Sequence, residues 1–182
     1  KRQIFFTSPL STDFMLFDVF EKRCKVVYKE SAHSVSITAV AAERYGREYY
    51  AVTAAGDSSI LAWDLENCCQ KCKIVAHTFS IVDIDISVLC GMVASVDTSG
   101  MLVMSSLTNG SYIHSIKFDT APSYVRIAPL GFVVLLFQHR EETSSLTKIV
   151  VVDFGCRIIA NATVDGNVTA VCMIELKDSS CY

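Results

Sequence analysis

Short apolar runs separated by turn residues recur along the whole chain. In residues 37–77 they read ITAVAA, YYAVTAAGD, ILAWDL and KCKIVAH. Runs of this kind, rich in Val, Ile, Tyr and Thr and bounded by Gly, Asp, Ser or Asn, are typical of β-strands. No apolar run keeps a helical period over the length that a helix needs. The pattern therefore predicts four strands in this stretch and an all-β chain.

The four-strand pattern repeats at a nearly constant distance. The segments ITAV, IVDI, YVRI and VTAV end at residues 40, 84, 127 and 171, so the spacings are 44, 43 and 44 residues. A second series, MLFDV, LAWDL, VMSSL and VVVDF, keeps nearly the same period. A period of about 40–45 residues with four strands in each repeat is typical of the blades of a β-propeller.

We predict that residues 1–182 form part of a β-propeller of the WD-repeat type with about four blades present. The predicted units are a blade tail at 1–36, blades at about 37–80, 81–123 and 124–167, and the start of a further blade at 168–182. A blade cannot cover both faces of its own sheet, and closed rings have typically four to eight blades. We therefore expect the chain to be a piece of a longer protein with a seven-blade ring.

The one tryptophan of the chain, Trp63, falls in the third strand of the first complete unit. WD repeats link such a Trp to a Ser or Thr in strand two, an Asp in the following turn and a His before strand one. The matching residues here are His33, Thr53, Asp57 and Trp63. We expect the Asp57 carboxylate to accept a hydrogen bond from His33, and the Thr53 hydroxyl to link His33 to the indole N–H. This structural role leaves no base-activated nucleophile, so we predict no catalytic residues and no enzymatic activity.

The next unit departs from this pattern. His77 recurs there, but Ser105 stands at the position of the Trp, and no His precedes strand one of the third unit. Cys69 and Cys72 form a Cys-x-x-Cys close to His77, but zinc sites usually combine two such pairs and no second pair is present. We therefore predict no metal site and no cofactor.

Composition and charge narrow the possible functions. Hydrophobic residues make up 51% of the chain and charged residues 19%, so it can bury a large core. The longest apolar run, residues 131–137, is far shorter than a membrane-spanning helix. The net charge is −3 and the basic residues are scattered, unlike the concentrated basic face that phosphate backbones require. We expect neither nucleic-acid binding nor direct membrane insertion.

The cysteines and the sequons favour different locations for the protein. Most of the eight cysteines lie in or beside apolar runs, which favours reduced thiols in a cytoplasmic protein. Three Asn-x-Ser/Thr sequons, at Asn109, Asn161 and Asn167, would instead suit a secreted protein. The segments TNGS and VDGN are also turn sequences, which would explain the sequons without glycosylation. We expect a cytoplasmic protein, and a secreted one is the alternative.

Two long segments carry a resemblance to a known family. Residues 82–116, VDIDISVLCGMVASVDTSGMLVMSSLTNGSYIHSI, resemble a blade of the WD-repeat propeller that ends BEACH-domain proteins of the neurobeachin and beige group. Residues 131–174 share that family's order of a strand, a polar insertion, a strand with a short Gly turn, and a Val-Thr-x-Val strand. The departures are the missing Trp in two units and the absence of a BEACH module from these residues.

The resemblance implies a cytoplasmic scaffold in vesicle and membrane trafficking, with a BEACH module in the same full-length chain. Its propeller would bind other proteins, and any association with membranes would come from the rest of the chain. The alternatives are a WD-repeat subunit of an unrelated complex and a secreted propeller enzyme.

A candidate protein-binding surface follows from the expected topology. In a propeller, the loops from strand four to strand one and from strand two to strand three share one rim, and loops often carry recognition. Phe79 and Tyr124 stand at the starts of two successive units, and Arg140 stands in the polar insertion 139–147. Aromatic residues and Arg are enriched at interface hot spots. We predict that these three residues form one patch that docks a partner; alternatively, the two aromatics fill gaps between blades and the insertion is a solvated loop.

Overall fold

The computed structural model describes residues 3–7, 14–19, 21–26, 33–67, 69–128, 131–140 and 145–171. Over these ranges the regular structure consists of β-strands. No helix in the described part of the chain is long and apolar enough to cross a membrane. The prediction of an all-β chain is confirmed.

The strands form four antiparallel sheets in chain order. The N-terminal sheet has three strands: β1 (Gln3–Thr7), β2 (Phe14–Asp18) and β3 (Arg23–Val26). The first sheet of four comprises β4 (Ile37–Tyr45), β5 (Glu48–Ala55), β6 (Ile60–Asp64) and β7 (Cys69–Ile74). The second comprises β8 (Ile81–Ser87), β9 (Met92–Asp97), β10 (Met101–Ser106) and β11 (Tyr112–Lys117). The third comprises β12 (Tyr124–Ala128), β13 (Phe132–Arg140), β14 (Ser145–Asp153) and β15 (Ile158–Asp165).

Each four-stranded sheet pairs its strands strictly in sequence, so that strands next to each other in the chain are also neighbours in the sheet. The three sheets therefore repeat one meander, which is compatible with consecutive propeller blades. The predicted period of 43–44 residues corresponds to one such meander and its connection to the next sheet.

The core lies between neighbouring sheets. One buried cluster fills the space between the first and second sheets, and another the space between the second and third. All six residues of β9 are buried, which explains why its sequence is almost continuously apolar. Its Val93 belongs to the first cluster, whereas Met92, Ala94 and Val96 belong to the second. Since successive side chains of a strand point to opposite faces, a sheet that is covered on both faces needs apolar residues at every position.

The polar insertion 139–147 differs from the solvated loop that was the alternative interpretation of its sequence. β13 and β14 remain paired as far as Arg140 and Ser145, and only residues 141–144 between them lie outside the described residues. Thr147 is buried, and its hydroxyl donates a hydrogen bond of 2.8 Å to the carbonyl of Gly166. Both ends of the insertion therefore belong to the third sheet, because the pairing of strands outweighs their polar composition.

Candidate functional site

A buried chain of hydrogen bonds crosses the first sheet. The Trp63 indole N–H donates to the Thr53 hydroxyl at 2.9 Å, and this hydroxyl lies 2.8 Å from Nε2 of His33. Trp63 and His33 are each 1% exposed, and Thr53 is fully buried. The bonds tie the segment before β4 to β5 and β6, so three separate parts of the sheet are held together.

Asp57 joins this chain differently from the expected direct contact with His33. Nδ1 of His33 lies 3.9 Å from the nearest Asp57 carboxylate oxygen, but 2.9 Å from the hydroxyl of Ser59. Ser59 in turn donates its hydroxyl to Asp57 at 2.6 Å. The expectation of a direct bond from His33 to Asp57 is wrong, because the Ser59 hydroxyl stands between the two side chains.

The distances fit a neutral His33 with its proton on Nδ1. The Thr53 hydroxyl then accepts from Trp63 and donates to Nε2, while Nδ1–H donates to Ser59. Burial lowers the pKa of His33, against the opposing effect of the Asp57 carboxylate. Partial burial acts to raise the pKa of Asp57, but hydrogen bonds from Ser34 and Ser59 outweigh it and hold this pKa well below its usual range. This series of hydrogen bonds therefore ends on the Asp57 carboxylate, which is ionised at neutral pH.

The second sheet contains a shorter version of the same arrangement. Nδ1 of His77 lies 2.8 Å from Asp97, and Nε2 lies 2.7 Å from the Ser95 hydroxyl. Ser105 occupies the strand-three position that Trp63 holds in the first sheet, and it is fully buried. Its hydroxyl is the buried side-chain oxygen that lacks a hydrogen-bond partner among the described residues. Ser95 instead donates a long bond of 3.4 Å to the carbonyl of Val103.

The two turns explain why Asp97 reaches its histidine directly and Asp57 does not. Asp97 is the last residue of β9, whereas Asp57 lies two residues beyond the end of β5. In both turns a Ser two positions after the Asp donates its hydroxyl to the carboxylate, at 2.6 Å in each case. Ser59 and Ser99 were not predicted from the sequence. The recurring Asp-x-Ser in GDSS and VDTS is the signal that could have found them.

In both sheets, the histidine and the strand-two hydroxyl are buried and hydrogen-bonded to each other. Thr53 and Ser95, the two hydroxyls beside a histidine, are both fully buried, so a substrate could not reach them. Their hydrogen bonds run to the neighbouring strand or to the histidine of the same sheet. Among the side chains that the structure describes, no group of three or more His, Cys, Asp or Glu is placed to hold a metal ion.

Carboxylates of β8 bind the backbone of β12 in the neighbouring sheet. Asp83 accepts from the Val125 N–H at 2.9 Å and from the Arg126 guanidinium at 2.7 Å, and Asp85 accepts from the Ile127 N–H at 2.7 Å. Burial raises the pKa of Asp85 to about 6, although the N–H of Ile127 acts to lower it. These bonds satisfy the edge amides of β12, which would otherwise be open to pairing.

The three residues predicted to bind a partner have different surroundings. Phe79 is 55% exposed in the connection between β7 and β8. Tyr124 is half-buried, its hydroxyl donates to the Thr169 carbonyl at 3.2 Å, and its ring lies 6.0 Å from the Arg126 guanidinium. The backbone of Arg140 ends β13, but its side chain lies outside the described residues. Tyr124 therefore contacts the segment that follows β15, and Phe79 is the residue whose ring is open to a partner.

The described cysteines differ in burial, whereas the sequon asparagines are all exposed. Four cysteines are free thiols: Cys69 exposed, Cys72 and Cys90 half-buried, and Cys156 buried. All three sequon asparagines are exposed. Asn109 lies in a turn and accepts from the Ser111 N–H at 3.0 Å, whereas Asn161 lies within β15. Turn chemistry therefore accounts for the sequon at Asn109 but not for the one at Asn161.

Comparison with known proteins adds a likeness of fold. No protein-family model and no curated protein matches this sequence. Among solved structures, the chain is similar to Kuenenia stuttgartiensis hydrazine synthase, with a TM-score of 0.64 at 15% sequence identity. The match covers 85% of this chain and 44% of that one, so this chain spans less than half of that structure. In all, 1007 solved chains match, and a fold shared so widely does not indicate an activity by itself.

Proposed function

We propose that this chain is part of a WD-repeat β-propeller that binds other proteins, as the interaction platform of a BEACH-type protein in membrane trafficking. The observation that carries the proposal is the buried chain of hydrogen bonds through His33, Thr53 and Trp63. It has the residue types and strand positions that WD repeats use. The second sheet repeats its first part with His77 and Ser95.

The polar side chains of the two sheets support a binding role over a catalytic one. His33 and His77 are buried and bonded to the hydroxyls of Thr53 and Ser95, so these side chains stabilise the sheets. The residues left for recognition are those of the exposed connections, which is usual for a scaffold that presents loops to a partner.

One rim offers a continuous surface for such a partner. The connections before β4 and before β8 lie beside the turns of their own sheets, since the Gly56 N–H donates to the Ser36 carbonyl and the Thr98 N–H to the Ser80 carbonyl. A side chain at Gly56 would meet both Val35 and Ser80. Val35 and Phe79 are exposed apolar residues of these connections. Phe79 on this rim can serve as an aromatic anchor that a partner protein buries, as protein interfaces favour.

The proposal is tested by affinity purification of the full-length protein from its own cells, with the recovered proteins quantified by mass spectrometry. We expect Phe79→Ala to remove a defined set of partners while the melting temperature stays unchanged. Tyr45→Ala is the matched control, because Tyr45 is 53% exposed and lies at the β4–β5 hairpin, at the opposite end of the sheet.

The variant carrying Ala at Phe79, Tyr124 and Arg140 tests the predicted patch as a whole. Tyr124→Ala should also lower the melting temperature, because its hydroxyl bonds to the Thr169 carbonyl. The same partners at the same yield from the wild type, the triple variant and the Tyr45 control would contradict the proposed surface. A fall in melting temperature for Phe79→Ala alone would assign this ring to packing.

A further inference from the structure

Two carboxylates of β8 hold the second sheet against the third. Asp83 and Asp85 stand two positions apart, so their side chains lie on the same face of the strand. They accept from the N–H groups of Val125 and Ile127 in β12, at 2.9 and 2.7 Å. Because β8 and β12 belong to separate sheets, these bonds connect two strands that have no backbone pairing with each other. A change of charge on either carboxylate therefore acts directly on the interface between β8 and β12.

The two carboxylates differ in their charge partners. Asp83 forms an ion pair with the Arg126 guanidinium at 2.7 Å. Asp85 is half-buried, and among the described residues no Lys, Arg or His nitrogen lies within ion-pair distance of it. Partial burial, a missing cation and a second carboxylate two residues away all disfavour the ionised form of a carboxyl group. Asp85 is therefore the member of the pair whose charge is costly at this interface.

The charges around Asp85 do not remove this cost. Arg126 favours the ionised form of Asp85, and Asp83 disfavours it. β4, β5 and β9 also pack against β8, and their acidic and basic side chains are Glu43, Arg44, Glu48 and Asp97. Arg44 and Glu48 are exposed, Glu43 accepts from the Val88 N–H at 2.5 Å, and Asp97 lies 2.8 Å from Nδ1 of His77. Burial is the main influence that remains, and it raises the pKa of Asp85 to about 6, although nearby backbone N–H groups act to lower it.

We propose that the interface between β8 and β12 is pH-sensitive, so that it is closed most firmly in mild acid and opens locally when the Asp85 carboxyl group ionises. In the protonated state the carbonyl oxygen of Asp85 still accepts from the Ile127 N–H, and no charge is buried. In the ionised state, separation of the strands lets water solvate the carboxylate, which favours the open form. The ion pair between Asp83 and Arg126 holds one end of the interface in both states and confines the opening to the end at Asp85. This inference concerns the fold itself and does not depend on the proposed function.

Amide hydrogen exchange measures this opening, because a protected N–H exchanges only when its hydrogen bond is broken and water has access. The experiment follows exchange in the full-length protein by mass spectrometry of fragmented peptides, from about pH 4 to about pH 7, with rates corrected for the intrinsic effect of pH. The ordinary pKa of an aspartate, 3.8, rises to about 6 for Asp85 in the folded protein. By linkage, the protection of the Ile127 amide should fall by up to about 100-fold over this range. The Leu107 amide, which donates to the Gly91 carbonyl at 2.9 Å within the second sheet, should keep its protection.

Two variants identify the group responsible. Asp85→Asn keeps an oxygen that accepts from the Ile127 N–H but cannot ionise, so the protection of this amide should no longer depend on pH. Asp119→Asn, in the exposed connection between β11 and β12, is the matched control and should keep the wild-type pH dependence. The proposal is overturned by a constant protection of Ile127 in the wild type, by an equal fall at Leu107, or by a pH dependence that survives Asp85→Asn. If Asp85→Asn does not fold, the comparison of Ile127 with Leu107 in the wild type decides alone.

Discussion

Removing the indole of Trp63 should be among the most costly single changes in the first sheet. The side chain is 1% exposed, and its N–H donates to the Thr53 hydroxyl at 2.9 Å. Trp63→Ala loses the transfer free energy of a buried ring, leaves a cavity and removes this bond. We expect the free energy of unfolding to fall by about 3–5 kcal/mol. Trp63→Phe keeps a ring in the site but loses the N–H and part of the volume, so its cost should be clearly smaller, about 1–2 kcal/mol.

The assay is urea unfolding of the complete propeller, followed by far-ultraviolet circular dichroism. Fluorescence of this chain is unsuitable, because Trp63 is its one tryptophan. The dependence of stability on urea should stay the same across the series, so that midpoints can be compared as free energies. Tyr45→Ala, at an exposed hairpin, is the control and should change stability by no more than about 0.5 kcal/mol. If the free energy of unfolding falls by less than about 1 kcal/mol for Trp63→Ala, the structural role of the buried hydrogen bonds through Thr53 and Trp63 is refuted.

Three further experiments have defined outcomes. Gly100→Ala should lower the melting temperature more than Gly46→Ala, because Gly100 has φ +89° and an added Cβ would lie 2.5 Å from the Phe118 carbonyl oxygen, whereas nothing lies within 4 Å at Gly46. The folded-state pKa of Asp85, about 6, lies above its ordinary value of 3.8, so ionisation is disfavoured in the folded state. This site therefore loses stability as the pH rises from about 4 to about 6, and the stability of Asp85→Asn relative to wild type, from urea melts at pH 4 and pH 7, should increase over that range; a constant difference would contradict it. Mass spectrometry of the unreduced native protein should find all eight thiols free and no glycan at any sequon, and a disulfide or an occupied sequon would favour the secreted alternative. The sequon asparagines are Asn109, Asn161 and Asn167.

The repeated sheets could be predicted because their signal is local and recurs. Each strand needs apolar residues wherever a neighbouring sheet covers it, so the apolar runs mark the strands directly. The link between Thr53 and Trp63 was predicted from the likeness to WD repeats, and the structure places the two residues on the adjacent strands β5 and β6, joined by a hydrogen bond.

Other features could not be predicted, because they depend on distances of a few ångströms. The spacing between His33 and Asp57 does not reveal that Ser59 stands between them, since this depends on how far the turn carries the carboxylate beyond β5. The bonds from Asp83 and Asp85 to β12 join residues more than forty positions apart. The packing of the two sheets determines which amides these carboxylates bind, and the sequence pattern of either strand alone does not indicate it.

Sequencing the complete transcript tests the central claim most directly, because the proposed scaffold requires a particular neighbour in the same chain. The account predicts that a BEACH module is encoded directly before Lys1 and that the full-length protein has no secretory leader. A leader peptide joined to a catalytic module, or a complete chain without a BEACH module, would contradict the proposed function.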